Sequence, residues 1–215
     1  MATEKVYAGC ALCGVKACDE ALGTKTPPPF CHALNNPELL EEIRKVYTQD
    51  EEINRLSIES ARTEARGYGE MTRVEEIMDF ARALGALKLG IAHCIGLQYE
   101  AKLAYQIFKN GGFEVYTVCC KMGSIDKEEI GLLDTEKVRP GEFEPLCNPI
   151  GQAAVLAQLG TQLNIVIGLC VGHDSLFFAH SKAPVTVLVA KDRVLGHNPV
   201  AALYTSHSYY QHLKT

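Results

Sequence analysis

Eight of the nine cysteines of this chain fall into two groups of four, and each group has the chemistry of a metal ligand set. The first is Cys10, Cys13, Cys18 and Cys31, spaced C-x2-C-x4-C-x12-C in a glycine-rich stretch too poor in apolar residues to fold alone. Pro27–Pro29 stiffen the approach to Cys31 and hold a distant ligand at low entropic cost. A bound metal could supply the missing stability, since zinc peptides gain roughly 10–16 kcal/mol on binding. Structural zinc sites pair two short knuckles, and no second knuckle is present here. Four unevenly spaced cysteines therefore favour a [4Fe-4S] cluster, with zinc at this N-terminal site as the alternative.

The second group is Cys94, Cys120, Cys147 and Cys170. Each of three apolar runs ends on cysteine: LKLGIAHCIG on His93-Cys94, FEVYTVCCKMG on Cys119-Cys120, and LNIVIGLCVGHD on Cys170. Uncharged β-branched runs read as buried parallel strands, and ligands bind beyond the carboxyl ends of such strands. Cys147 precedes Asn148-Pro149, a helix start whose dipole favours a thiolate. Between the adjacent pair, strand parity and the neighbouring Lys121 select Cys120 over Cys119. The competing reading is that these cysteines are buried thiols packing as small hydrophobes.

Several polar residues sit beside this second group. His173 and Lys121 are candidate catalytic groups, for proton transfer and anion binding. His93 and Asp174 are candidates for tuning a bound cluster from its surroundings. Asp174 has an equally good reading as the cap of the next helix. The segment Lys191-Asp192-Arg193 with His197-Asn198 follows the fourth strand, where it could bind an anionic group or form a surface turn.

The elements that must position these residues are legible from periodicity and punctuation. Asn36-Pro37-Glu38 opens a helix with Leu39, Leu40, Ile43, Val46 and Tyr47 at helical spacing. A second runs from about Asp50 to Arg66 with Ile53, Leu56, Ile58 and Ala61 as its inner face. Thr72-Arg73-Val74-Glu75 is a capping box opening a third. From Leu87 the pattern becomes strand, helix, strand; residues 123–145 form a charged insertion with one helical turn near Asp126–Ile130. A helix from Asn148 to Leu159, the strand at 163–169, a short helix at 175–180 and the strand PVTVLVA complete the α/β part. The expected fold is α/β, a doubly wound, mostly parallel four-stranded Rossmann-like sheet of order 2-1-3-4. Three regions follow: a Cys-rich module at 1–36, a helical segment at 37–85 expected to pack on the sheet, and the Rossmann-like domain at 86–215.

Composition excludes several classes. A net charge of −5 and no basic run give no reason to expect nucleic acid or an anionic membrane. No apolar run approaches the roughly 20 residues of a membrane span. MATEKVYAGC lacks the order of a secretory signal, so a cytoplasmic location is expected. No Gly-x-Gly-x-x-Gly follows a strand, and GLCVGHDS lacks the Lys-Ser/Thr of a phosphate loop. A cysteine hydrolase built on Cys170 and His173 would leave the other sheet-edge thiols unexplained.

The N-terminal spacing resembles the [4Fe-4S] motif of nickel-containing carbon monoxide dehydrogenases over about 25 residues, with Lys16-Ala17 where that motif has Gly-Pro. With AHCIG, CCKMG, CNPIGQA, GLCVGHDSLF and KDRVLGHNP, the whole chain resembles an uncharacterised Cys-rich family of bacterial and archaeal proteins, a domain of unknown function. That resemblance implies metal binding through the cysteines and supplies no activity. The expectation is an iron–sulfur protein with one or two clusters, acting on a small molecule or a redox partner protein. A homo-oligomer is compatible with it, as is a zinc protein with a thiol-based enzyme site or a non-enzymatic metal-handling or electron-carrier protein.

Overall fold

The computed structural model describes residues 9–21 and 23–214. Residues 1–8, which open the expected Cys-rich module and the segment read for a signal, lie outside the described residues. The chain forms two compact units, Met1–Ala61 and Arg62–Thr215.

In the first unit, 3-10 turns at Cys10–Leu12 and Ala17–Asp19 lead to a short helix α1, His32–Asn35. Helix α2, Pro37–Gln49, begins after Asn36 with proline in its first turn, as expected. Helix α3, Glu51–Gly67, follows Asp50, whose carboxylate accepts from the Glu52 and Ile53 amides. The expected inner face of α3 is not buried: Ile53 and Ile58 are exposed, as are Leu39, Leu40, Ile43, Val46 and Tyr47 of α2. Two helices alone cannot enclose apolar stripes, which need a second layer to cover them.

The second unit holds a four-stranded parallel sheet: β1 Lys88–His93, β2 Glu114–Cys119, β3 Leu163–Ile167 and β4 Val185–Val189. Its order is β2-β1-β3-β4, the order expected from the sequence. Every residue of central β3 is buried, while β4 at the edge is half-buried throughout, matching the uncharged run in the first. Helices α5 Gln98–Asn110 and α6 Pro149–Gln158 are the crossovers; α6 packs on β1, β2 and on α7, His173–His180. Right-handed crossovers place α5 on one face and α6 with α7 on the other.

Phe108 of α5, Leu156 of α6 and Phe177 of α7 are fully buried, as are Leu89, Ile91, Ile165 and Ile167 of the sheet. Burying side chains of this size contributes about 1.5–3 kcal/mol each. Gly90 permits the closest approach in this core: a Cβ there would lie 2.2 Å from Asn164 Oδ1. Asn164 is buried yet satisfied, accepting from Thr161 and donating to Ser181. Helix α4, Arg73–Ala83, carries the expected capping box. Arg73 ties its start to Thr186 and Val187 of β4, and Arg82 ties its end to the Gly111 carbonyl. A last short helix, α8 Val200–Tyr204, lies in the tail.

Candidate functional site

Four segments of the second unit bring cysteine to the carboxyl edge of the sheet, each by its own device. Cys94 follows β1 and donates its amide to the Ile167 carbonyl of β3 at 3.1 Å. Cys120 follows β2 and donates to the His93 carbonyl at 2.9 Å. Cys147 stands before α6, whose cap Asn148 accepts from the Gly151 amide and donates its own amide to the Cys120 carbonyl at 2.7 Å. The start of α6 is thereby pinned to the end of β2.

Cys170 depends on Gly168, which leaves β3 at φ +63°. A Cβ at Gly168 would meet Leu97 at 2.5 Å. A side chain is barred there by both conformation and space. The turn carries Cys170 beyond the carboxyl end of β3, one of the two strands that flank the topological switch point of this sheet.

Cys120 is in hydrogen-bond contact with both Cys94 and Cys147. Cys94 and Cys120 are buried, and Cys147 and Cys170 half-buried. The hydrogen bond from Cys120, followed by Lys191, pulls the Cys94 thiol down to about 4. The same donor, then the charges of Lys121 and His173, pulls Cys147 down to about 5. Cys120 moves the opposite way, raised by its contacts with Cys147 and Cys94 and by burial. These contacts favour the thiolate at Cys94 and Cys147 and the thiol at Cys120.

Cations surround this sulfur row. Lys191 donates to Cys94 Sγ at 2.6 Å, and Arg193 donates to Cys170 Sγ at 3.0 Å, which raises the guanidinium's own value. The backbone amide of Ile95 points at Cys120 Sγ from 3.4 Å. Lys121 bonds both the Pro145 carbonyl and Cys147. The sequence left Lys191 and Arg193 open between anion binding and a surface turn; in the structure the cysteine sulfurs receive both.

The remaining candidates are placed as follows. His173, at the start of α7, acts on Cys147 through its charge, and its Nδ1 is buried without a hydrogen-bond partner among the described residues. Asp174 accepts from the Gly172 and Ser175 amides and so caps its own turn. His93 is buried, bonds the Cys94 carbonyl through Nδ1 and lines a cleft with Gln98, Lys102, Tyr105 and Thr117. Cys119 is half-buried at the end of β2, paired in register with His93.

Gln152 went unnoticed in the sequence. It is fully buried and clamps the His93 and Val118 carbonyls at 3.2 and 2.6 Å, holding the ends of β1 and β2 together under the cysteines. Its position on the inward face of a helix capped by Asn148 was the available signal.

Cys10 and Cys18 are exposed, and Cys13 and Cys31 half-buried, in the 3-10 turns and at the start of α1. Among the described residues, no group of three or more His, Cys, Asp or Glu side chains is placed to hold a metal ion. No helix of the described residues is long and apolar enough to cross a membrane.

A family model described as "Protein of unknown function (DUF1847)" matches residues 31–188, and the chain belongs to that family. The chain is also 45% identical over 170 residues to uncharacterized protein MJ0455 of Methanocaldococcus jannaschii, covering 79% of this chain and 86% of that protein. The resemblance to an uncharacterised family read from the sequence is borne out at that level. No solved structure matches the chain. The matched range takes in Cys31 and all four sheet-edge cysteines.

Proposed function

We propose that this member of the DUF1847 family is a redox protein whose sheet-edge cysteines, Cys94, Cys120, Cys147 and Cys170, hold a [4Fe-4S] cluster that exchanges electrons with a small molecule or a partner protein. The observation that carries this reading is the contact of Cys120 with both Cys94 and Cys147 at the switch point. Bringing sulfurs from separate segments to one crevice has a purpose if they are ligands, and thiolates are the ligating form. The Lys191, Arg193 and Ile95 donors support the same reading, since N–H bonds to sulfur tune a cluster.

For Cys10, Cys13, Cys18 and Cys31 the support is the spacing, and a second cluster or a zinc ion is proposed there. Iron, zinc and acid-labile sulfide content after anaerobic purification tests both sites. Two cubes give about eight iron and eight sulfide per chain, and one gives about four of each. Zinc near one per chain with no sulfide would overturn the reading.

A second reading, a thiol-based enzyme with Cys94 or Cys147 as nucleophile, is favoured by the cation pairs that hold thiolates ready without any metal. A colourless, iron-free anaerobic preparation with rapidly alkylated Cys147 would favour it.

A further inference from the structure

A hollow of about 320 Å³ opens beside the sulfur row, lined by Ile95, Lys121, Val138, Arg139, Glu144 and Pro145. Two of these residues are shared with the centre: the Ile95 amide points at Cys120, and Lys121 bonds Cys147. The outer wall comes from the charged insertion, which is braced rather than loose. Lys137, its side chain 3% exposed, bonds Glu128, Asp134 and the Glu142 carbonyl. A bridge between Asp126 and Pro145 closes the base of the insertion.

Two cations and one acid line the hollow. Glu144 is buried and already committed: it binds Lys127 and accepts from the Arg139 amide at 3.1 Å. The Arg139 guanidinium meets Glu142 at 3.4 Å in an exposed pair of the kind water screens. Lys121, which also bonds the Pro145 carbonyl and Cys147, and Arg139 are thus the two cations of a lining whose other walls are the apolar Ile95, Val138 and Pro145. The volume lies at the lower end of the range for ligand pockets, too small for a nucleotide-sized molecule.

We infer that this hollow binds a small organic monocarboxylate with a short apolar tail. The carboxylate sits between Lys121 and Arg139, whose planar fork matches it, and the tail lies against Ile95 and Val138. That such an anion is the small-molecule substrate of the adjoining centre rests on the thiolate-cluster reading; its binding does not.

The test is calorimetric titration of the full chain, purified anaerobically, with isobutyrate, its uncharged analogue isobutyramide, and inorganic phosphate. Iron and sulfide are measured on the same samples. Isobutyrate is expected to bind and to weaken at least ~tenfold in Arg139→Gln and in Lys121→Gln, while isobutyramide fails to bind. Arg139 is a surface residue, so its variant keeps the fold. Absence of isobutyrate binding, unchanged affinity in Arg139→Gln, or phosphate binding as tightly as isobutyrate would each overturn the inference. Isobutyrate binding that needs Arg139 in a preparation without iron would sustain the site and remove the cluster.

Discussion

Lys191 donates to Cys94 Sγ across 2.6 Å, joining the end of the last strand to the end of the first over 97 positions of sequence. An ammonium so close to a sulfur favours the thiolate, next in size after the hydrogen bond from Cys120. In metal-free protein, Lys191→Met should move the Cys94 titration upward from about 4. Following thiolate absorbance in the ultraviolet against pH checks this; an unchanged curve would show that Lys191 does not govern the sulfur.

Cys119 and Cys120 are adjacent, yet only the second lies in the sulfur row described above. Cys120→Ser should remove the iron and sulfide of one cluster, whereas Cys119→Ser should retain them. Metal analysis of the two variants separates the outcomes, and the reverse result would reassign the ligand.

Gly168 carries both a positive φ and a 2.5 Å approach to Leu97. Gly168→Ala should cost about 1–3 kcal/mol, read as a lower urea midpoint. Because the same turn carries Cys170, its alkylation rate should change as well. Stability equal to the native protein would mean that the turn relaxes freely.

The insertion is expected to loosen in acid. Lys137 holds Asp134 low, and Lys127 holds Glu144 low, so both carboxyls lose protons more readily folded than unfolded. Their stabilisation is present above the ordinary carboxylate range of about 4 and is lost as pH falls through the lower folded values. Lys137 is raised, first by Asp134 and then by Glu128, so its own contribution is present below about 10 and disappears only at higher pH. Hydrogen exchange, corrected for intrinsic rates, should therefore quicken selectively in residues 126–144 below about pH 4. Lys137→Met should make the same segment exchange faster already at neutral pH. Equal protection of insertion and sheet in acid would refute the account.

Local chemistry made much of this legible in advance. The capping box at Thr72 and the Asn148-Pro149 helix start depend on residues within one turn, and the uncharged strands on period and length. The strand order came from reading the unit as doubly wound, and the sheet has that order. What resisted reading was side-chain partnership between distant segments. Lys191 and Arg193 were visible as cations near the crevice, but their pairing with Cys94 and Cys170 is a matter of tertiary register. The apolar stripes of α2 and α3 predicted burial that the structure does not give them, because amphipathicity signals a face and not what covers it. Arg139 looked like one charge among many in an insertion whose bracing by Lys137 no periodicity reveals.

The separation of Cys94 from Lys191 and of Cys147 from its partners also dictates an order of events during synthesis. Contacts between remote segments form late, after the loops between them have closed. A ribosome-bound chain that ends before β4 would hold Cys94, Cys120 and Cys147 but lack the ammonium that steadies the first of them. The arrangement of Cys94, Cys120, Cys147 and Cys170 is thus a product of completed folding, and a cluster of the kind proposed would be loaded into a finished crevice. Cys10, Cys13, Cys18 and Cys31, close together in sequence, need no such wait.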